Sequence, residues 1–482
     1  MFQRVHYKIE FITILVIISL LTSCANHKTT HRRWVPHEKY STDNVISDKP
    51  YSGLKKIISP HTDFDQIILD IHSDNFQLKK AKLNILLTKI ESNVQKGHQK
   101  PSLNLSINTQ KQYQQGVKAG NKTTDNNQFS LNSSWEIDLW KKVKREWQQS
   151  LIQVDIQKEE YEALRESIIW QCFKEYLNIH SLKQIESILE KRLQLEKKIK
   201  VILNEDFVQL NTQFNKIQEQ ENKIISIQQE LIQNSREQKS SHIFLNFLLG
   251  KSKATEHRIS NYLDISEWQK SLDHPKIGIP TQLIENRIDI KVASLEIDKH
   301  ILEWENKQRA LYPNLTIQAT LGSREKQWKN LIDPGYMFSN LSTQILQPIF
   351  NNGNLRKQKK LSKIVLEQNL LHYAHVYSNA ILEVESHLND FFKEKEKLNM
   401  LNQQIKNIKV LKHNQDKNYA SGLTSLRVLI QLDLQLNHMQ ENKIHLLKTQ
   451  IQYHYSLLNA LGSRWHLKGQ QQKTKSSYNL NK

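Results

Sequence analysis

Glycine and proline are scarce in this chain, 12 and 9 among 482 residues, and neither occurs between Lys141 and Leu249 or between Asn354 and Ser421. Loop-rich folds need both residues at their turns, so their exclusion from such long stretches leaves uninterrupted helix as the expected structure. Cysteine is scarcer still, with only Cys24 and Cys172. That rules out a disulfide framework, and Cys172 is expected to pack as a small hydrophobe. Past the first two dozen residues no run of 18 apolar side chains occurs, which excludes a helical membrane span. A membrane protein built from this chain must therefore cross as a β-barrel. Recognisable catalytic signatures are also missing: there is no His-Glu-x-x-His, no dinucleotide fingerprint and no Gly-x-Ser-x-Gly. His372-x-x-His375 has no third ligand nearby, and Gly250-Lys251-Ser252 lacks the leading glycine of a phosphate-binding loop. No enzyme activity, cofactor or metal site is expected.

What is present begins with Arg4 and Lys8, an apolar run from Phe11 to Leu21, and Leu21-Thr-Ser-Cys24. This reads as a secretory signal, residues 1–23, too short to be a comfortable membrane span; an uncleaved signal-anchor is the alternative. The segment before Cys24 also resembles a bacterial lipobox, which would make Cys24 the acylated, palmitate-bearing first residue of the mature chain. Each buried methylene of such an anchor holds by about 0.8 kcal/mol, so several acyl chains attach a protein permanently. Ala25, not Asp, after the cysteine implies sorting to the outer membrane. The net charge of +19 would suggest nucleic acid in a cytosolic protein, but an exported chain does not meet that partner. The lysines are spread along helices as solvated faces, with an effect on lumen potential or lipid headgroups as the other reading.

The chain is written twice. Pro101-Ser-Leu-Asn-Leu-Ser-Ile107 lies over Pro313-Asn-Leu-Thr-Ile-Gln-Ala319, and both alternate apolar with polar side chains as a strand between lipid and water does. Each is followed by a turn region, Gly116 to Asn127 and Gly322 to Gly335, and a second alternating stretch, marked by Phe129, Leu131, Trp135 and Ile137 and by Phe338, Leu341, Ile345 and Ile349. Trp135, Tyr312, Tyr336 and Phe338 near the strand ends fit an aromatic girdle, and equally fit ordinary hairpins. After each strand pair comes a coiled-coil seam, from Trp147 through Leu193 and from Phe207 through Leu231 in the first copy, with Glu221 and Gln228 at interior phase. The chain is expected to turn at Asn204-Glu205-Asp206 in the first copy and at Gly422 in the second, where Leu426, Leu429, Leu432 and Leu436 start the return helix. The expected division is 1–23 signal, 24–60 strap, 61–270 first repeat, 271–465 second repeat and 466–482 disordered tail. Four strands per chain cannot close a barrel, which needs about eight or more, so the chain must oligomerise.

Several segments in order resemble the TolC-type outer-membrane efflux proteins, in their lipoprotein branch. They are Ser134-Trp-Glu-Ile-Asp138-Leu-Trp140, Arg287-Ile-Asp289, Tyr312-Pro-Asn-Leu-Thr-Ile-Gln-Ala-Thr-Leu-Gly322, Gln347-Pro348-Ile-Phe-Asn-Asn-Gly353-Asn-Leu-Arg356, Tyr419-Ala-Ser-Gly422-Leu423-Thr424-Ser425 and Ala460-Leu-Gly462. The resemblance implies a mainly α fold with a small β part: helical hairpins forming a periplasmic tunnel, and four strands per chain making a twelve-stranded barrel in a homotrimer. It implies a passive conduit through the outer membrane, with a periplasmic adaptor and an inner-membrane pump of RND type as partners. A type I protein secretion conduit is the alternative; a lipid-anchored periplasmic adaptor would carry a single hairpin, and a purely structural coiled coil would not need the paired strands. Asp138, Pro348 and Gly353 would mark strand-to-helix junctions, and Gly422, Leu423, Thr424 and Arg427 the pore tip. The chain departs from the family in having Ile288 for Pro, Lys141 for Gly, and Arg427 where a carboxylate is usual. A ring of Arg427 would favour anions; the other reading turns Arg427 outward to pair with a neighbouring acid.

Overall fold

The computed structural model describes residues 62–114, 122–209, 213–251, 264–270 and 287–462. Cys24, the strap, the linker between the copies and the tail lie outside the described residues. The first copy runs α1 (Thr62–Asp74), α2 (Phe76–Gly97), β1 (Ser102–Gln114), β2 (Lys122–Ile137), α3 (Lys142–Val208) and α4 (Phe214–Leu248). After the short α5 (Ile265–Lys270), the second runs α6 (Ile288–Arg309), β3 (Asn314–Glu325), β4 (Met337–Leu346), α7 (Asn354–Ala420) and α8 (Leu426–Ala460).

The offset that lays Pro101 on Pro313 holds residue for residue: Ser102 answers to Asn314, Lys142 to Asn354 and Phe214 to Leu426. The paired helices have identical lengths, 67 residues for α3 and α7 and 35 for α4 and α8. At 1.5 Å per residue each long helix spans about 100 Å. Gly250 and Gly462 end the return helices at φ +67° and +76°. A Cβ on Gly250 would lie 2.4 Å from the Asp74 carbonyl oxygen, so the Gly-Lys-Ser echo of a phosphate loop is a helix stop, with Lys251 paired to Asp70 at 3.0 Å.

The seam packs largely as its spacing requires. Val154, Ile168, Cys172, Tyr176, Ile179, Leu182, Ile185 and Leu189 are buried along α3, while Leu151, Phe207 and Phe214 stay exposed. Along α4 the buried phase runs through Ile217, Gln220, Ile224 and Ile227. Gln220, bonded to the Glu196 carbonyl at 2.9 Å, thus takes an interior place, Gln228 is exposed, and Glu221 pairs with Lys200 across the hairpin.

The turn of the first hairpin differs from expectation. Asn204, Glu205 and Asp206 belong to α3, which continues to Val208; polar side chains sit readily on a solvated helix face, and no glycine or proline stops the helix there. Gly322 and Asn127 lie within strands, not turns, and Ile349 lies beyond the end of β4.

A core that the repeat pattern did not reveal gathers at Trp268 of α5. Its indole stacks with Phe173 and Tyr176, and Trp170 stacks on Tyr455 of α8 with ring centroids 4.2 Å apart. Phe64, Ile68 and Ile71 of α1 complete it. This cluster fastens α1, both helices of the first hairpin and α8 of the second. Arg287 fastens α6 from the other side, donating to Asp289, Glu383 and the Ala460 carbonyl.

Candidate functional site: the sheet, its junctions and the hairpin tip

The four strands form one antiparallel sheet in the order β1-β2-β3-β4. Residues opposite one another in such a ladder point to the same face. Leu105 faces Leu131, which faces Leu321; Trp135 faces Ile317; Leu315 faces Ile345. With Leu103, Ile107, Phe129 and Leu341 they give this face an apolar band over the junction-side half of the sheet, interrupted by Ser133, Ser339 and Thr343, and Leu103, Leu105, Ile107, Leu341 and Ile345 are exposed there. The opposite face is mostly Asn, Ser, Gln and Thr, with Glu136, Arg324, Phe338 and Leu346 among them. Ser106 and Ser130 share a hydrogen bond of 2.8 Å, Asn132 donates to Ser106 at 2.8 Å, Thr320 donates to Asn132 at 3.1 Å and Arg324 to Gln128 at 2.9 Å. The outer edges of β1 and β4 have no strand partner among the described residues.

All four helix-strand junctions meet at one end of this sheet. Between β2 and α3, the Asp138 carboxylate accepts from the Val143 and Lys144 amides at 3.1 and 2.8 Å, capping α3. The chain enters α3 through Lys141 at φ +58° and, at the equivalent place in the second copy, enters α7 through Gly353 at φ +71°. One backbone corner is built twice, once with glycine and once with a side chain that resists it. Pro348 follows the end of β4, where a residue without an amide proton cannot extend the ladder. Trp140 donates to the Pro313 carbonyl at 2.7 Å and packs its ring on Tyr312, joining the β2–α3 junction to the α6–β3 junction. Trp135 and Tyr312 lie at this end of the sheet, Tyr336 and Phe338 at the other. Neither α3 nor α7 has an acidic residue in its first turn.

The far ends of the hairpins carry the other candidate residues. Gly422 turns the chain at φ +75°, with its amide donating to the Tyr419 carbonyl and the Leu423 amide to Asn418. Leu423 is exposed, and Thr424 is half-buried. Arg427, in the first turn of α8, is half-buried and makes no ion pair with a described carboxylate. The structure thus keeps the tip residues together but about one long helix away from Asp138, Pro348 and Gly353. Lys412 pairs with Asp433 across α7 and α8, the second-copy counterpart of Lys200 with Glu221. Arg192 reaches Glu230 within its own hairpin at 3.2 Å and Glu441 of the other hairpin at 2.9 Å. These ties were not read from the sequence, although the recurrence of opposite charges at the offset of the repeat could have marked the first two.

His372 and His375 are exposed on α7, and among the described residues no three His, Cys, Asp or Glu side chains gather to hold a metal. No described helix is long and apolar enough to cross a membrane.

The family model for outer membrane efflux proteins matches residues 68–251 and 279–463, one stretch for each copy and most of the chain between them. The chain belongs to the outer membrane efflux protein family. The pyoverdine export outer membrane protein OpmQ of Pseudomonas aeruginosa is 22% identical over 76% of this chain and 77% of its own length. SilC of Salmonella typhimurium, described as a probable outer membrane lipoprotein, is 20% identical over 95% of this chain and 99% of its own. The crystal structure of the Campylobacter jejuni CmeC outer membrane channel superposes with a TM-score of 0.75 at 17% identity, covering 89% of this chain and 93% of that one. As a member of this family the chain resides in the outer membrane and serves as the channel of an efflux system, with its helical hairpins as the periplasmic part. The work of the family is transport.

Proposed function

We propose that three copies of this chain close a twelve-stranded barrel that passes cargo, without chemical change, from a periplasmic adaptor and an inner-membrane pump of RND type to the exterior. The observation that carries the reading is the two-faced sheet with two open edges. An apolar face suits lipid, a face of amides and hydroxyls suits a water-filled lumen, and open edges cannot stand in a bilayer unless another chain pairs with them. Pairing β4 of one copy with β1 of the next also sets α2, which leads into β1, beside α7, which follows β4. Both have unpartnered apolar stripes, Leu83, Leu87 and Ile90 on α2 and Leu361, Ile364 and Leu371 on α7, and each stripe would cover the other.

In this reading residues 61–270 and 271–465 are two copies of one unit. The signal 1–23 is removed, Cys24 carries the lipid, 24–60 forms a strap, and 466–482 is a tail. The Leu21-Thr-Ser-Cys24 sequence supports the anchor, as does the description of SilC. Gly422, Leu423 and Thr424 offer the adaptor its contact.

Detergent-extracted protein is expected to run as a trimer that dissociates only on heating and to give conductance steps in planar bilayers. A monomer without conductance overturns the reading. Three copies of Arg427 place a ring of positive charge at the tip, favouring anions. Recordings of Arg427→Asp are expected to shift the selectivity towards cations; an unchanged cation preference refutes the ring.

A further inference from the structure

The junction end of the sheet carries a concentration of cations that the channel reading does not use. From Pro334 to Leu366 the chain has no aspartate or glutamate, yet it holds Arg356, Lys357, Lys359, Lys360 and Lys363. Arg356, Lys357 and Lys360 are exposed at the start of α7. Lys141 and Lys144 are exposed at the start of α3, and Lys100 between α2 and β1. None of these six makes an ion pair with a described carboxylate. Arg145 and Arg309 at the same level are different: Arg145 holds Glu305 at 2.6 Å and Arg309 donates to the Trp140 carbonyl. Lys141, Lys144, Arg356 and Lys357 also oppose local stability, since a helix N-terminus is itself positive and favours acids in its first turn. Helix formation therefore does not account for them. Immediately beside them, between β4 and α7, Ile349 and Phe350 are almost fully exposed, at 95% and 87%. An apolar ledge followed by a basic collar, at the margin of a sheet with an apolar outer face, has the chemistry of a bilayer boundary.

We propose that this collar binds the anionic headgroups of phospholipids in the membrane leaflet nearest the helices, with Ile349 and Phe350 seated at the acyl boundary. The proposal rests on the reading that the sheet lies in the membrane. Charge complementarity selects the occupant: Asp138 is held by the α3 amides and Glu305 by Arg145, so the excess of unpaired cations favours headgroups of net negative charge over zwitterionic ones. Its effect is to set the depth at which the barrel sits.

The test uses the full-length protein reconstituted into vesicles of phosphatidylcholine alone or mixed with phosphatidylglycerol, with co-purifying lipid counted by native mass spectrometry after mild extraction. Wild-type protein is expected to enrich phosphatidylglycerol over phosphatidylcholine, and K357Q/K359Q/K360Q to lose at least about tenfold of that preference, given a contribution of up to about fivefold for each cation at an anionic surface. The arginine version, K357R/K359R/K360R, is expected to retain it, which separates charge from folding. K141Q/K144Q provides a second, independent removal. Insertion and conductance with no lipid preference in the wild type, or an undiminished preference in both glutamine variants, overturns the proposal and leaves the channel reading standing. A change in ion selectivity with unchanged lipid retention overturns it as well, by placing the cations at the lumen. Failure of the wild-type protein to insert in either vesicle overturns both.

Discussion

Lys141 and Gly353 occupy the same backbone corner at φ +58° and +71°, so the chain contains its own comparison of a β-carbon with none in the left-handed region. Such a conformation costs a non-glycine residue about 1 kcal/mol. Lys141→Gly is expected to raise the thermal unfolding temperature of the detergent-solubilised protein by a few degrees, and Gly353→Lys to lower it by a similar amount. Equal, negligible shifts would show that strain at this corner is relieved elsewhere. Gly322 is constrained differently: its φ is ordinary for a strand, but a Cβ would stand 2.4 Å from the Phe129 carbonyl oxygen. The close approach of β3 to β2, invisible in the sequence, accounts for a glycine that read as a turn. Cys172 is fully buried in the Trp268 core, where desolvation pushes its thiol well above the usual range. A hydrophilic maleimide is accordingly expected to label it only after denaturation, as read by mass spectrometry.

The strands decide where a charge can be tolerated. Leu105 and Asn104 are neighbours on β1 and point to opposite faces. A lysine on a lipid-facing position costs about 2–4 kcal/mol at mid-bilayer depth, whereas a lumen position remains wet. Leu105→Lys is expected to abolish stable membrane insertion and Asn104→Lys to preserve it, judged by heat-modifiable migration after extraction. Equal behaviour of the two would reject the assignment of faces. Among the helices, alternation of three and four was enough to place most of α3, because a seam that long has only one way to bury its apolar residues. It failed at Gln220 and Gln228, where the amide of Gln220 finds a carbonyl partner across the hairpin and a polar residue becomes the interior one.

At the scale of the whole molecule, the lipid tether proposed at Cys24 is open to a direct test. Cys24→Ser is expected to remove radiolabelled palmitate from the protein; label persisting in that variant would refute the anchor. The duplication was legible because one constant offset relates equivalent positions from the first strand of each copy to the end of its return helix, so prolines, glycines and strand alternation recur in step. The family motifs were legible for a related reason. Asp138, Pro348, Gly353 and Gly422 each perform a backbone task, a cap, a strand stop or a left-handed corner, that restricts residue type wherever it occurs.

Other features were beyond any local reading. The Trp268 core draws on α1, α3, α4, α5 and α8, and the tie from Arg192 to Glu441 joins the hairpin of one copy to that of the other. Neither has a period, because contacts between distant elements depend on where the helices cross. The sequence by itself determined the long helices and the alternating strands, since these follow from backbone conformation and side-chain periodicity, and it carries the argument for the proposed partner chains, which rests on satisfying backbone hydrogen bonds in lipid. Only the tertiary structure decided where the first hairpin turns, which residues knit the two copies together, and that unpaired cations from three separate junctions form one collar. Packing and charge proximity are properties of space, and residues far apart along the chain acquire them only once it has folded.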